Sequence, residues 1–118
     1  MASDNPSDDR TTVGVSAEGE QCLALLMSRG WFDKELSAFR IAVTYALANQ
    51  MAPTEHATYT TKWNKGSLEQ GDMLADLITQ FYDTDRPYDM AQSLGDAGLR
   101  ALAERVRSGD SLTAILGS

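Results

Sequence analysis

The segment "TTVGVS" (Thr11 to Ser16) constrains this chain more than any other. Two threonines and two valines favour extended backbone. The residues that follow have helical spacing, and no second strand-like run appears for the next forty positions. A lone strand leaves a row of unpaired N–H and C=O groups, which folded chains avoid. Its partner must therefore lie far along the same chain or in another copy of it. In a strand, Thr11, Val13 and Val15 share one face, and Thr12, Gly14 and Ser16 the other.

The remaining chain reads as mainly α. At 118 residues with 42% hydrophobic content it is long enough for one domain with a core. Residues 1–9, polar and acidic, read as a disordered tail, and residues 10–118 as a single domain. Ser16 is a good N-cap for a first helix over 17–29. That helix carries Cys22, Leu23, Leu26 and Met27 at helical spacing and ends at Gly30. Asp33 is placed to cap a second helix running to about Asn49. Its main stripe is Leu36, Phe39, Val43, Ala46 and Leu47, with Ile41 and Tyr45 apolar on another side, a pattern expected of a helix with two neighbours. The stretch 57–63 is either a second strand or an extended loop. "SLEQ" (Ser67 to Gln70) has the form of a capping box opening a third helix, with Leu74, Leu77, Ile78 and Phe81 on one face. Pro87 suits the first turn of a fourth helix over 87–107. Gly95 and Gly98 in that helix mark either a break or a close helix–helix approach. Asp110 is placed to cap a last short turn, 111–116. The expected architecture is thus an N-terminal strand followed by four helices, with residues 67–116 as a C-terminal helical part.

Charge narrows the function classes. The net charge is −7, distributed as −3 over residues 1–9, +1 over 10–66 and −5 over 67–118. An anion-binding face, if there is one, belongs to the first half. Cys22 is the single cysteine, so no intrachain disulfide forms and a cytoplasmic location is expected. The same residue reads as a small buried hydrophobe, and His56 as a solvated loop residue. No stretch is apolar enough to span a membrane, and the N-terminus lacks the pattern of a secretion signal. No phosphate-binding glycine loop is present, the acids of "DTDRPYD" (Asp83, Asp85, Asp89) read as solvated caps, and nothing marks a nucleophile. The expectation is a non-enzymatic protein without cofactor or metal.

Two copies would resolve the strand problem, because strands from two subunits can pair antiparallel above interlocked helices. In order, length and pattern, residues 11–50 resemble the ribbon-helix-helix superfamily: "TTVGVS" as ribbon, "AEGEQCLALLMSRG" as first helix and "KELSAFRIAVTYAL" as second. The resemblance implies an obligate oligomer, a homodimer or tetramer, whose ribbon enters the major groove of double-stranded DNA. Carried over by position, Arg10, Thr12 and Ser16 would contact DNA and Lys34 would meet a phosphate. Val13, Val15, Phe39, Val43 and Leu47 would form the dimer interface. More loosely, the whole order of elements, with "GLRAL" (Gly98 to Leu102) near the end, resembles the small DndE-like proteins of DNA phosphorothioation and phage-defence systems. That implies a DNA-associated accessory or regulatory protein.

Two further features bear on function. In "TYTTKWNKG" (Thr58 to Gly66), aromatics alternate with Lys62 and Lys65, a pattern that can stack on bases and neutralise phosphates. The competing reading has Trp63 covering the core and the lysines solvated. The acidic C-terminal half (Glu69, Asp72, Asp76, Asp83, Asp85, Asp89) instead suits an adaptor, or an antitoxin-like protein, that assembles with a larger, basic partner protein without binding DNA.

Overall fold

In a computed structural model, which describes residues 9–55, 57–69, 71 and 73–117, the strand finds its partner inside the same chain. Thr12–Val15 (β1) pairs antiparallel with Thr60–Asn64 (β2), in register Thr12↔Asn64, Val13↔Trp63, Gly14↔Thr61 and Val15↔Thr60. The helices Ala17–Ser28 (α1) and Glu35–Ala48 (α2) lie between the two strands in sequence. Lys65–Leu68 (α3), Met73–Phe81 (α4), Pro87–Arg107 (α5) and Leu112–Gly117 (α6) follow. The chain is therefore mainly helical, with a short two-stranded antiparallel sheet. No helix among the described residues is long and apolar enough to cross a membrane.

The outer edge of β1 is also taken. The Gly14 N–H donates to Gln92 Oε1 at 2.8 Å, and the Thr12 carbonyl accepts from Arg10 Nε at 3.0 Å. The pairing that the sequence suggested between two chains is thus made within one. The physical reason is that closing a long intrachain loop costs little more than closing a short one, about 0.6 kcal/mol per doubling of length. Val13, Val15, Phe39 and Val43, expected at a subunit interface, are fully buried within one chain, and Leu47 nearly so.

The central element is α5. Its residues Leu94 to Leu99 are all buried, because α2, α1, β1 and α4 each pack against it. The two glycines mark close approach and not a break. A methyl at Gly98 would lie 2.0 Å from the Ala42 carbonyl oxygen, and one at Gly95 would lie 2.4 Å from the Phe39 ring.

Several helix ends differ from the expected ones, each for a local reason. Ser16 does cap α1, accepting the Gly19 N–H at 2.9 Å, and Gly30 follows with φ of 75°. Lys34, not Asp33, occupies the N-cap of α2, without a side-chain hydrogen bond. Ser67 opens no long helix, because Gly71, with φ of 100°, separates α3 from α4. The cap of α4 is Glu69, whose carboxylate accepts the Leu74 and Ala75 N–H groups at 2.6 and 3.2 Å. Asp9, assigned to the tail, caps α5 by accepting the Tyr88 and Asp89 N–H groups at 2.9 and 3.0 Å. Ser111 takes the capping role in α6 and accepts the Ala114 N–H, while Asp110 turns back to Arg105. The rest of the tail, His56, Gln70 and Asp72 lie outside the described residues.

Gly98→Ala raises helix propensity by about 1 kcal/mol. It also drives a methyl into backbone, and overpacking of this kind costs about 1–3 kcal/mol. A net loss of stability is therefore expected in urea titrations. Gly66→Ala in α3, where a methyl meets open space, should leave stability unchanged or raise it by about 0.5–1 kcal/mol. Equal behaviour of the two variants would refute the close-approach account.

Candidate interaction surfaces

Gln92, Asp96 and Arg100 recur every four residues on α5 and so form one stripe along it. Asp96 is fully buried and fully partnered: it accepts from the Ser16 hydroxyl at 2.5 Å and from Arg100 Nε at 2.8 Å. Arg100 also reaches Glu18 at 2.9 Å and approaches the Ser16 hydroxyl at 3.4 Å. The Asp96 hydrogen bond holds the guanidinium above its ordinary range, against the burial that opposes it. Gly19 sits so close that a methyl there would lie 2.8 Å from Asp96 Oδ1. With every buried polar side-chain atom among the described residues satisfied, this stripe acts as the clamp that holds β1 and the start of α1 against α5.

That clamp and its neighbours take up most of the residues expected to contact DNA. Ser16 is buried in it. Thr12 is half-buried, and Arg10 lies along it with its guanidinium 3.9 Å from Asp89. Residue 62 is the extra residue of a bulge in β2, and a bulge re-aims its side chain. Lys62 thereby reaches Glu35 at 2.8 Å and Glu20 at 3.1 Å. Burial opposes its charge, but the hydrogen bonds to the two carboxylates prevail and raise its pKa above 10.5. Lys65 is exposed, with its ammonium 5.1 Å from the Tyr88 ring centre. Lys34 is exposed beside Glu35 and makes no ion pair with a described residue. Four of the six residues thus fall into two groups, Arg10 and Lys65 at the start of α5, and Lys34 and Lys62 at the start of α2, while Thr12 lies on β1 and Ser16 at the start of α1. Each group is interspersed with carboxylates. Trp63 packs on Phe39, ring centres 5.0 Å apart, and so covers the core. Tyr59 is half-buried near Ser93.

A different surface was not legible as one. Of the four residues expected on the buried face of α4, Ile78 is buried and Leu74 half-buried, but Leu77 is 40% and Phe81 54% exposed. With Met73, 76% exposed, they form an i, i+4, i+8 stripe on the open side of the helix. Leu77 and Phe81, but not Met73, line a depression of about 320 Å³ together with Leu47, Ala48 and Leu74. A second depression, about 390 Å³, lies between Ile41, Tyr45 and Ile115, Leu116 of α6. Thr44 and Ala48 line both, so the two adjoin along α2; Asn49 and Arg105 also line the second, and Gln50 the first. The second apolar side of α2 therefore has only α6 beside it and stays partly open.

The charges of the C-terminal half are unevenly paired, and the one charged residue lining either depression is Arg105. Arg105 is tied to Asp110 at 2.5 Å, and Arg40 donates to the Ser67 and Leu68 carbonyls. In the C-terminal half, Asp89, Asp96, Glu104 and Asp110 each have an arginine partner, and Glu69 caps α4. Asp76, Asp83 and Asp85 have no ion-pair partner among the described residues, and all lie on α4 or just after it. From Gly66 to Asp85 the sequence has no basic residue. No three His, Cys, Asp or Glu side chains gather as a metal site among the described residues, and burial pushes the Cys22 thiol up, away from the thiolate form.

No family model, curated protein or solved structure matches this chain.

Asp96→Ala removes two hydrogen bonds to a buried carboxylate and strands Ser16 and Arg100, so a loss of about 2–3 kcal/mol is expected by chemical denaturation. A loss below about 0.5 kcal/mol would remove the clamp from the account. Cys22, Tyr59, Tyr82 and Lys62 all have raised pKa values in the fold, the first three chiefly through burial. Each then contributes stability that is complete below its unfolded value and declines as pH rises through the folded one. The urea midpoint should therefore fall above the ordinary Cys value of 9.0 and continue falling beyond 10.5, the ordinary Lys value. In Lys62→Met the upper part of that fall should be smaller.

Proposed function

We propose that this protein is a non-enzymatic assembly subunit whose acidic C-terminal half docks on a larger partner protein. The observation that carries the reading is the exposed Met73–Leu77–Phe81 stripe, set in a stretch of chain that contains acids and no bases. Single exposed apolar residues are ordinary, but a contiguous stripe beside a groove is what interaction surfaces look like. The acids keep such a surface soluble and select a cationic counterpart. The DNA-binding reading has weaker support, because Arg10 and Lys62 already serve carboxylates and Ser16 is sealed inside the clamp. Phosphates would have to displace those carboxylates before gaining anything.

The test is purification of the tagged full chain from its native host. A protein present in fixed stoichiometry, and no nucleic-acid absorbance, is the expected result. Tight duplex binding at about 50 mM salt, falling steeply with added salt, would instead restore the DNA reading.

A further inference from the structure

The depression between α2 and α6 has a volume of about 390 Å³. That is near the lower end of the range for small-molecule pockets, about 300–1,000 Å³. Its apolar walls are Ile41 and Ala48 of α2 and Ile115 and Leu116 of α6, to which Tyr45 adds a hydroxyl and Arg105 a guanidinium. Apolar walls with a few hydrogen-bonding groups are how small-molecule sites are built.

Arg105 is the one charged residue in this lining, and its hydrogen bonding is uneven. Nε donates to Asp110 at 2.5 Å, a short charge-assisted bond. Nη1 reaches the Tyr45 hydroxyl at 3.3 Å and Nη2 the Ala114 carbonyl at 3.4 Å, both beyond the usual span of about 2.7–3.2 Å. Other arginines of the fold use their terminal nitrogens fully: Arg100 Nη1 lies 2.9 Å from Glu18, and Arg40 Nη2 donates to the Ser67 carbonyl at 2.6 Å. Each Nη carries two N–H groups, so each on Arg105 retains one with no partner among the described residues. The Tyr45 hydroxyl accepts from Arg105, and its own proton meets no acceptor among the described residues. Asp110 thus holds the guanidinium by one edge and leaves its terminal donors, beside a free hydroxyl, at an apolar depression. Donors of this kind are satisfied by an acceptor, and two Nη groups match the two oxygens of a carboxylate.

We infer that the α2–α6 depression binds a small organic acid, with its carboxylate on Arg105 and Tyr45 and its apolar body between Ile41, Ala48 and Leu116. The site uses no residue of α4, so it stands apart from the assembly reading above. The net charge of −7 repels anions at long range. A preference for the acid over a neutral analogue therefore has to come from the site itself.

The probe is hydrocinnamate, a phenyl ring joined to a carboxylate by a short chain. It is titrated into the full chain at about 0.15 M salt, where long-range repulsion is screened, with amide resonances recorded at each step. Saturable shifts are expected around Tyr45, Ala48, Arg105 and Ile115. Hydrocinnamyl alcohol and the corresponding amine should bind at least about tenfold more weakly, the loss expected when a hydrogen bond to a charged group is removed. In Arg105→Gln the acid should fall to the affinity of the alcohol, and in Tyr45→Phe it should weaken less. Ala48→Phe fills the depression from an exposed position and should abolish binding of acid and alcohol alike. Urea midpoints of the variants serve as folding controls. If Arg105→Gln does not fold, the comparison of acid with alcohol and the Ala48→Phe result decide the matter. Equal affinity for acid and alcohol, full binding in Ala48→Phe, shifts centred elsewhere or the absence of saturable binding would each overturn the inference.

Discussion

The arrangement of the whole chain depends on one buried carboxylate. Asp96 sits at the middle of α5 with no exposure to solvent, which is expensive unless partners satisfy it. Ser16 and Arg100 do so. The geometry also sets register. Gly14 and Ser16 are two residues apart in extended backbone, about 6.7 Å. Their acceptors, Gln92 and Asp96, are four residues apart on a helix, about 6 Å along its axis. The two spacings match, so the strand fits the helix in one alignment. A slip by one residue would remove both hydrogen bonds and turn Val13 and Val15 out of the core. Because Ser16 also caps α1, the same contact fixes where the first helix begins.

What was legible in the sequence follows from how local each signal is. The fourth helix was readable to its ends, Pro87 and Arg107, because proline at the first position and the apolar period both act within a few residues. The first helix was readable for the same reason, through Ser16 and Gly30. The partner of β1 was not, since β2 lies some forty-five residues on in a polar segment, and its bulge at residue 62 breaks the alternation that would mark a strand. Asp9 and Glu69 were misassigned because each caps a helix from outside its immediate sequence, Asp9 from the far end of the chain. Gln92 and Asp96 were passed over because they sit within a helix whose mean composition is polar. The available signal was their four-residue spacing beside Gly95 and Gly98, in a segment where only a fully surrounded helix would need such small residues.

Net charge misled in a similar way, since counting does not separate acids with a structural duty from those without one. Most C-terminal acids pair with an arginine or cap a helix, and two of the first half's bases, Arg10 and Lys62, are likewise tied to acids, at Asp89, Glu20 and Glu35. After these pairs are set aside, the charge that remains is smaller than −5 and more localised, on α4 and the loop after it, where Arg86 offsets part of it. Exposed pairs contribute little to stability.

The exposed stripe on α4 has no role in holding the fold. Ala75 and Ile78 already anchor the helix to the core. Glu69 joins its start to α5 by accepting from the Tyr88 hydroxyl at 2.7 Å while capping Leu74 and Ala75. A nine-residue helix so fastened would stand equally well with polar residues at 73, 77 and 81. Apolar side chains there give up solubility without adding to the core, and the groove beside them leaves one face of α2 incompletely covered. In a chain where even a buried carboxylate is satisfied atom by atom, a stripe that satisfies nothing internal is best explained by something external.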